Sequence, residues 1–274
     1  MLRPVCEAQL NMKDTTKIVV AWHSAEQLAR FTEAWGIGNK IPDGLILQRD
    51  ANREGCAVTK NKGIAKAMRR GAEIVIVLDD DCFPEPLAAF GVMTLSGLAM
   101  AHEHALEPQP FEMLLPVTTP PSRGTPFAER TIQLPVAASM GFWTKVGDYD
   151  APSQLVYGAT HPMQFRREAI TQRYFALCGM NLAFRPADWL PWCQFIDVPR
   201  FDDIWMGWLW MREAYRRGYC FNLAGPLVRH SRQSNVWRNL EHETKYLERS
   251  ETLWRDIATH PAGDYASLRK LLPV

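Results

Sequence analysis

No uncharged stretch of the 274 residues is long enough to cross a bilayer. The longest, Leu87 to Ala101, falls short of the roughly 20 apolar residues a spanning helix needs, and it reads as a buried helix. The six cysteines (6, 56, 82, 178, 193 and 220) contain no CxxC pair and follow no regular spacing. Reduced, mostly buried thiols of a cytoplasmic protein are the expectation. "MLRPVCEAQLNMKDTTK" holds no apolar signal core, so export is not expected. Internal repeats and low-complexity segments are absent. Excess charge is absent too: the formal net charge of +1 marks no nucleic-acid binder, leaving only a local basic groove open.

What is present is a core-forming composition, 47% hydrophobic and 22% charged. "KIVVAW" (17–22), "GLILQRD" (44–50) and "EIVIVL" (73–78) read as strands. Between them, "SAEQLARFTEAWG" (24–36) has a Ser N-cap and a Gly stop, and "KNKGIAKAMRRGA" (60–72) reads as a second helix. Apolar strands alternating with helices predict an α/β fold: a Rossmann-type, mostly parallel central sheet flanked by helices. A proline-rich stretch, Pro108 to Gly124, predicts a loop or edge strand and divides the chain. We expect one domain, with a nucleotide-binding half over 17–106, an acceptor or sugar half over 107–234 and a helical segment over 235–274. In the last, Leu240, Leu247 and Trp254 recur at sevenfold spacing, predicting an amphipathic helix.

In "VIVLDDDCFP" (75–84), four apolar residues run into three adjacent carboxylates. Ligands of such sheets sit beyond the carboxyl ends of the strands, where Asp50 and Asp79 to Asp81 are expected to meet. Adjacent carboxylates there suit a hard divalent cation, Mg²⁺ or Mn²⁺, which in turn neutralises a diphosphate. On an extended chain Asp79 and Asp81 share a face and Asp80 points elsewhere. Asp81 is then the direct metal contact, and Asp79 acts through water or the ribose. A two-metal nuclease or phosphatase would want more acids or His nearby, and only Glu85 is offered, so nucleotide-sugar chemistry is preferred. Lys60 and Lys62, at the expected helix start, are candidates for the diphosphate. Trp143, Trp192, Trp205, Trp208 and Trp210 belong to the core or stack on sugar or base.

"VLDDDCFP" resembles the metal motif of GT-A glycosyltransferases. More narrowly, the chain resembles the reversibly glycosylated polypeptides, or UDP-arabinopyranose mutases. "GDYDAPSQLV" (147–156), "CGMNLAF" (178–184), "RFDDIWMGW" (200–208) and "RHSRQSN" (229–235) follow in the family's order. The resemblance implies a metal-dependent enzyme that interconverts UDP-arabinopyranose and UDP-arabinofuranose and is reversibly glycosylated on an arginine. "RGTPFAER" (123–130) places that arginine at Arg130. By the same resemblance His230 completes the metal site with Asp79 and Asp81, and Arg229 and Arg232 beside it reach for phosphate. Asp202 and Asp203 face the sugar, orienting a guanidinium that is otherwise a poor nucleophile; Asp202 alternatively caps a helix. Asp50, Lys60, Lys62, Asp79 and Asp80 would hold the nucleotide.

Two other functions stay open at this point. One is a glycosyltransferase acting on an external acceptor, whether a glycan, a protein or a modified DNA base. The other is a non-catalytic UDP-sugar-binding subunit. Association into homo- or hetero-oligomers is expected.

Overall fold

The structure, a computed structural model, describes residues 15–22, 24–50, 54–87, 91–113, 123, 130–158, 170–231, 235–261 and 263–273. The first half alternates as the sequence predicts. β1 (Thr16–Trp22), α1 (Ala25–Ala34), β2 (Leu45–Arg49), α2 (Cys56–Arg69) and β3 (Ile74–Asp79) build a parallel unit in the order β2–β1–β3. Ser24 caps α1 by accepting from the Gln27 N–H. Gly36 ends it at φ 64°, the left-handed conformation in which a Cβ is strained.

Helix α2 begins four residues before Lys60, the expected start. Gly55 at φ 101° turns the chain, and Ala57, Thr59, Lys60, Gly63, Ile64 and Ala67 form its buried face. Gly63 lets the helix lie close on the sheet, since a Cβ there would come within 2.3 Å of Val19. Lys60 is therefore carried one turn into the helix and beneath the sheet edge.

β4 (Cys82–Pro84) follows the three aspartates and pairs antiparallel with the distant β12 (Cys220–His230). β5 (Pro86–Leu87) and β6 (Gly91–Val92) form a small hairpin ahead of α3 (Leu95–Ala105), a helix shorter than the run from Leu87 suggested. β7 (Gln109–Glu112) and β8 (Thr131–Leu134) make a separate two-stranded sheet. Of the proline-rich stretch, residues 114–122 and 124 lie outside the described residues. β9 (Val136–Lys145), α4 (Ala151–Tyr157), β10 (Ile170–Thr171), β11 (Asn181–Phe184), α5 (Pro186–Trp189), α6 (Asp202–Arg216), β12, α7 (Val236–Thr259) and α8 (Tyr265–Arg269) complete the chain.

The central sheet runs β10–β12–β9–β11–β3–β1–β2. β1, β2, β3, β9 and β12 share one direction, while β11, β10 and β4 run against it. The mixed α/β architecture with a mostly parallel, helix-flanked sheet and a C-terminal helix is the one expected. Among the described residues no helix is long and apolar enough to cross a membrane.

The five tryptophans singled out above are all buried, so they serve the core. Trp210 of α6 stacks edge-on with Phe184 of β11 and Phe221 of β12, with centroids 5.3 and 5.5 Å apart. Helix α7 turns Asn239, Glu243, Tyr246, Leu253 and Ile257 inward. That stripe lies one residue ahead of the Leu240–Leu247–Trp254 set, and Trp254 is exposed. The sevenfold period is present, but its centre is displaced because the N-terminal half of the inward face is polar.

A polar chain crosses the middle of the sheet. Asn181 Nδ2 donates to the Pro226 carbonyl at 2.8 Å, which leaves Asn181 Oδ1 to accept from His102 Nε2, also at 2.8 Å. His102 Nδ1 then accepts from Ser139 at 3.0 Å. Gly141 is required beside it, because a Cβ would lie 2.1 Å from Asn181 Nδ2 and 2.4 Å from the Pro226 carbonyl oxygen. Burial holds His102 neutral and lowers its pKa from 6.5 to about 4. Between those values the unfolded chain binds the extra proton. Stability is thus fully present above about pH 6.5 and falls as pH drops toward 4, by on the order of 3 kcal/mol. Urea unfolding across this range should show that slope, and His102→Gln should flatten it; an unchanged slope in the variant would contradict the assignment.

Candidate functional site

Because β3, β9 and β12 point the same way, the segments after them meet at one edge of the sheet, where a cleft of about 370 Å³ opens. Asp79 ends β3 and Asp80 and Asp81 follow it, Asp148 to Asp150 follow β9, and His230 closes β12. The far wall is the segment into α6, Pro199 to Ile204, with Glu243 reaching in from α7. Six of the predicted site residues besides His230 line it: Lys60, Asp79, Asp80, Asp81, Asp202 and Asp203.

The aspartate run does not behave as an extended strand. β3 ends at Asp79, and Asp80 and Asp81 form a turn, so face alternation stops there. Asp79 Oδ1 lies 2.6 Å from Lys60 Nζ, a pair whose side chains are 4% (Lys60) and 29% (Asp79) exposed. Lys60 also donates to the Gly179 carbonyl at 3.3 Å and lies over the Phe195 ring. Burial opposes the charge on Lys60, but Asp79 and the Asp202–Asp203 pair outweigh it and hold the ammonium pKa well above its ordinary value.

Asp81 turns the other way. Its Oδ2 lies 3.6 Å from His230 Nε2. His230 Nδ1 is 3.0 Å from the Val146 carbonyl, to which it donates. Pairing of β4 with β12 sets this meeting, with Cys82 opposite His230. Burial lowers the His230 pKa, and the neighbouring Asp81, the Val146 carbonyl and Asp148 more than reverse that, leaving it raised. With Nδ1 anchored on a carbonyl, the neutral ring presents the Nε2 lone pair beside Asp81, the arrangement of a metal-ligating imidazole with its carbonyl support. Asp81 and His230 thus offer two donors of the kinds a divalent cation accepts. As placed, however, no three His, Cys, Asp or Glu side chains among the described residues are grouped to hold a metal ion. Asp79 is engaged by Lys60 instead.

Asp202 is not the N-cap of α6. Phe201 holds that position at φ 63°, an uncommon conformation for a residue with a side chain. The turn aims Asp202 and Asp203 into the cleft. Asp203 accepts from Gly179 N at 2.7 Å and Ile204 N at 2.8 Å. Asp202 Oδ2 is buried without a hydrogen-bond partner among the described residues. Burial and the like charge beside it push the Asp202 pKa upward, and burial pushes up that of Asp203 against the pull of Lys60. The first proton shared by the pair resides on Asp202, since Asp203 is stabilised as an anion by two backbone N–H groups.

Other predicted residues lie elsewhere. Asp50 follows β2, accepts from the Glu54 N–H at 2.8 Å, and does not line the cleft. Lys62 is exposed and pairs with Glu54. Arg130 sits at the β7–β8 sheet, with Nε 3.6 Å from Glu112, and does not line the cleft either. Arg229 lies over the Phe83 ring. Arg232 and residues 124–129 fall outside the described residues. Unforeseen were Asp148, Asp150, Arg200 and Glu243. Asp148 and Asp150 were within reach, since "GDYDAPSQLV" was already marked; Glu243 carried no signal inside a helix pattern.

The profile of the reversibly glycosylated polypeptide family matches residues 70–257. A probable UDP-arabinopyranose mutase 1 of Pisum sativum is 36% identical over 132 residues, 45% of this chain and 36% of the relative. UDP-arabinopyranose mutase 1 of Arabidopsis thaliana is 33% identical over 132 residues, 45% of this chain and 37% of the relative. A probable UDP-arabinopyranose mutase 4 of the same plant is 32% identical over 140 residues, 48% of this chain and 38% of the relative. The matched stretch thus spans little over a third of each relative's length.

The ion pair beneath the cleft has a direct consequence. Lys60→Met leaves Asp79 beside the Asp202–Asp203 pair with no cation and should cost about 3 kcal/mol of unfolding free energy. Denaturation at pH 7 checks it, and Lys60→Met combined with Asp79→Asn should regain a large part of the loss. Equal losses in the single and double variants would show the two residues uncoupled.

Proposed function

The chain belongs to the reversibly glycosylated polypeptide family, and from that membership we propose that it is a UDP-arabinopyranose mutase-like enzyme that binds a UDP-sugar in the acidic cleft. The observation that carries the reading is the convergence of Asp81 and His230 at one end of the cleft with the Asp202–Asp203 pair on its far wall. The first end suits a diphosphate neutralised by a divalent cation; the second suits sugar hydroxyls. Asp81 and His230 would hold Mn²⁺ or Mg²⁺, with Asp79 available on release from Lys60, and the cation would supply charge to the departing UDP.

The protein's own groups have defined tasks. Asp203, fixed by two backbone N–H groups, accepts a sugar hydroxyl. Asp202, carrying the pair's proton, can donate one. During the reaction the bond from the anomeric carbon to the diphosphate oxygen breaks, and its electron pair leaves with UDP. A guanidine nitrogen passes a proton to a carboxylate, Glu112 in the case of Arg130, and forms the new bond to that carbon. The nitrogen lone pair then expels the ring oxygen, whose bond to the anomeric carbon breaks as it takes a proton from Asp202. A different hydroxyl adds to the same carbon and returns its proton to Asp202, and UDP displaces the nitrogen, which regains its proton from Glu112. Arg130 is the guanidine the family resemblance assigns to this step. Asp80, which lines the cleft, remains assigned to the nucleotide side, whereas Asp50 lies outside it, and a cytoplasmic, self-associating protein is part of the same reading.

A second reading, transfer of the sugar to an external acceptor, is favoured by one observation: Arg130 pairs with Glu112 and does not line the cleft. One experiment separates the two. With labelled UDP-arabinopyranose and Mn²⁺ and no acceptor, the mutase reading expects the furanose form by NMR and label on the protein that disappears in Arg130→Ala. Asp81→Asn and His230→Ala should each lower the rate about a hundredfold. Release of UDP only when an acceptor is supplied would overturn it.

A further inference from the structure

We propose that Arg200 grips the sugar-bearing phosphate of the nucleotide-sugar, with Asn239 and Glu243 of α7 holding its guanidinium in place. This deepens the reading above and rests on it. Positive charge is scarce in the cleft. Carboxylates crowd the cleft, and an entering diphosphate must find donors that these carboxylates have not already taken.

Backbone donors at the starts of α4 and α6 are partly occupied, while α2, whose Cys56 lines the cleft, opens from Gly55 without a side-chain cap. At α4, Asp150 accepts from Ser153 N and Glu243 accepts from Ala151 N, both at 2.8 Å. At α6, Asp203 takes the Ile204 N–H. Lys60 is nearly inaccessible and spent on Asp79 and the Gly179 carbonyl. His230 Nδ1 is spent on the Val146 carbonyl. Arg200 is different. It lines the cleft with its side chain 37% exposed. Nη2 donates to Asn239 Oδ1, and Nε lies 3.7 Å from Glu243 Oε1. Nη1 makes no hydrogen bond with the described residues.

Asn239 and Glu243 are one helical turn apart on the same face, so they fix the plane of the guanidinium rather than merely neutralise it. A planar fork held on one edge and open on the other matches two phosphate oxygens. Sugar hydroxyls do not compete for it, because Asp148, Asp150, Asp202 and Asp203 offer them acceptors.

Calorimetric titration of the full chain in Mn²⁺ buffer with UDP, UMP and uridine tests the assignment. Arg200→Met should weaken UDP about tenfold or more while UMP and uridine stay within about twofold. Arg200→Lys, which keeps the charge and loses the fork, should fall between; Asn239→Ala should weaken UDP alone, by less. Should Arg200→Met melt unlike the wild type, those two variants carry the test. Equal weakening of UDP and UMP, or unchanged UDP affinity, overturns the role of Arg200 while leaving nucleotide binding intact. A wild-type chain that binds none of the three nucleotides overturns the role and the functional reading together.

Discussion

Lys60 Nζ, sunk among the carboxylates at the floor of the cleft, is the charge on which the arrangement depends. A parallel sheet brings the carboxyl ends of its strands together, and here those ends and the α6 start bear aspartates. Mutual repulsion and the cost of burial act against the folded chain. A buried ammonium bound to Asp79, its pKa held up against burial by Asp79 and the Asp202–Asp203 pair, offsets part of both. Close packing of α2 on β1 at Gly63 is what delivers it there.

The C-terminal helix belongs to the same economy of charge. α7 packs on α4 and α6, and its inward face changes character along its length. Tyr246, Leu253 and Ile257 continue the core, with Tyr246 stacked against Trp205. Asn239 and Glu243 instead meet Arg200 and the start of α4. One helix thus seals the hydrophobic body with one half and furnishes the rim of the cleft with the other.

Much of this was legible beforehand, for local reasons. Ser24 and Gly36 punctuate α1, and the apolar runs at 17–22 and 73–78 are strands whose ends carry the chemistry. "RFDDIWMGW" and "RHSRQSN" held residues that do line the cleft. What could not be read is set by long-range pairing. The turn at Asp80 accompanies the pairing of β4 with β12, so the alternation expected along the aspartates stops at Asp79. Lys60 looked like a helix start because Cys56, Ala57 and Val58 offer no capping side chain, and the helix in fact opens from Gly55 without one. Glu243 and Asn239 lie in a charged helix pattern, where a polar inward face is indistinguishable from a solvated one. Arg130 was placed by resemblance, and the fold sets it on a hairpin beside Glu112.

The pairing of Cys82 with His230 and of Phe83 with Arg229 bears on how the molecule comes into being. β1, β2 and β3 are joined by short crossovers and can assemble early from neighbouring segments. Asp81 meets His230 only when the last strand has docked, after the costliest loop closure in the sheet. A chain halted before Cys220 would hold its aspartates without either His230 or Glu243. The side chains of the cleft are therefore brought together in full only by the pairing of strands farthest apart along the chain.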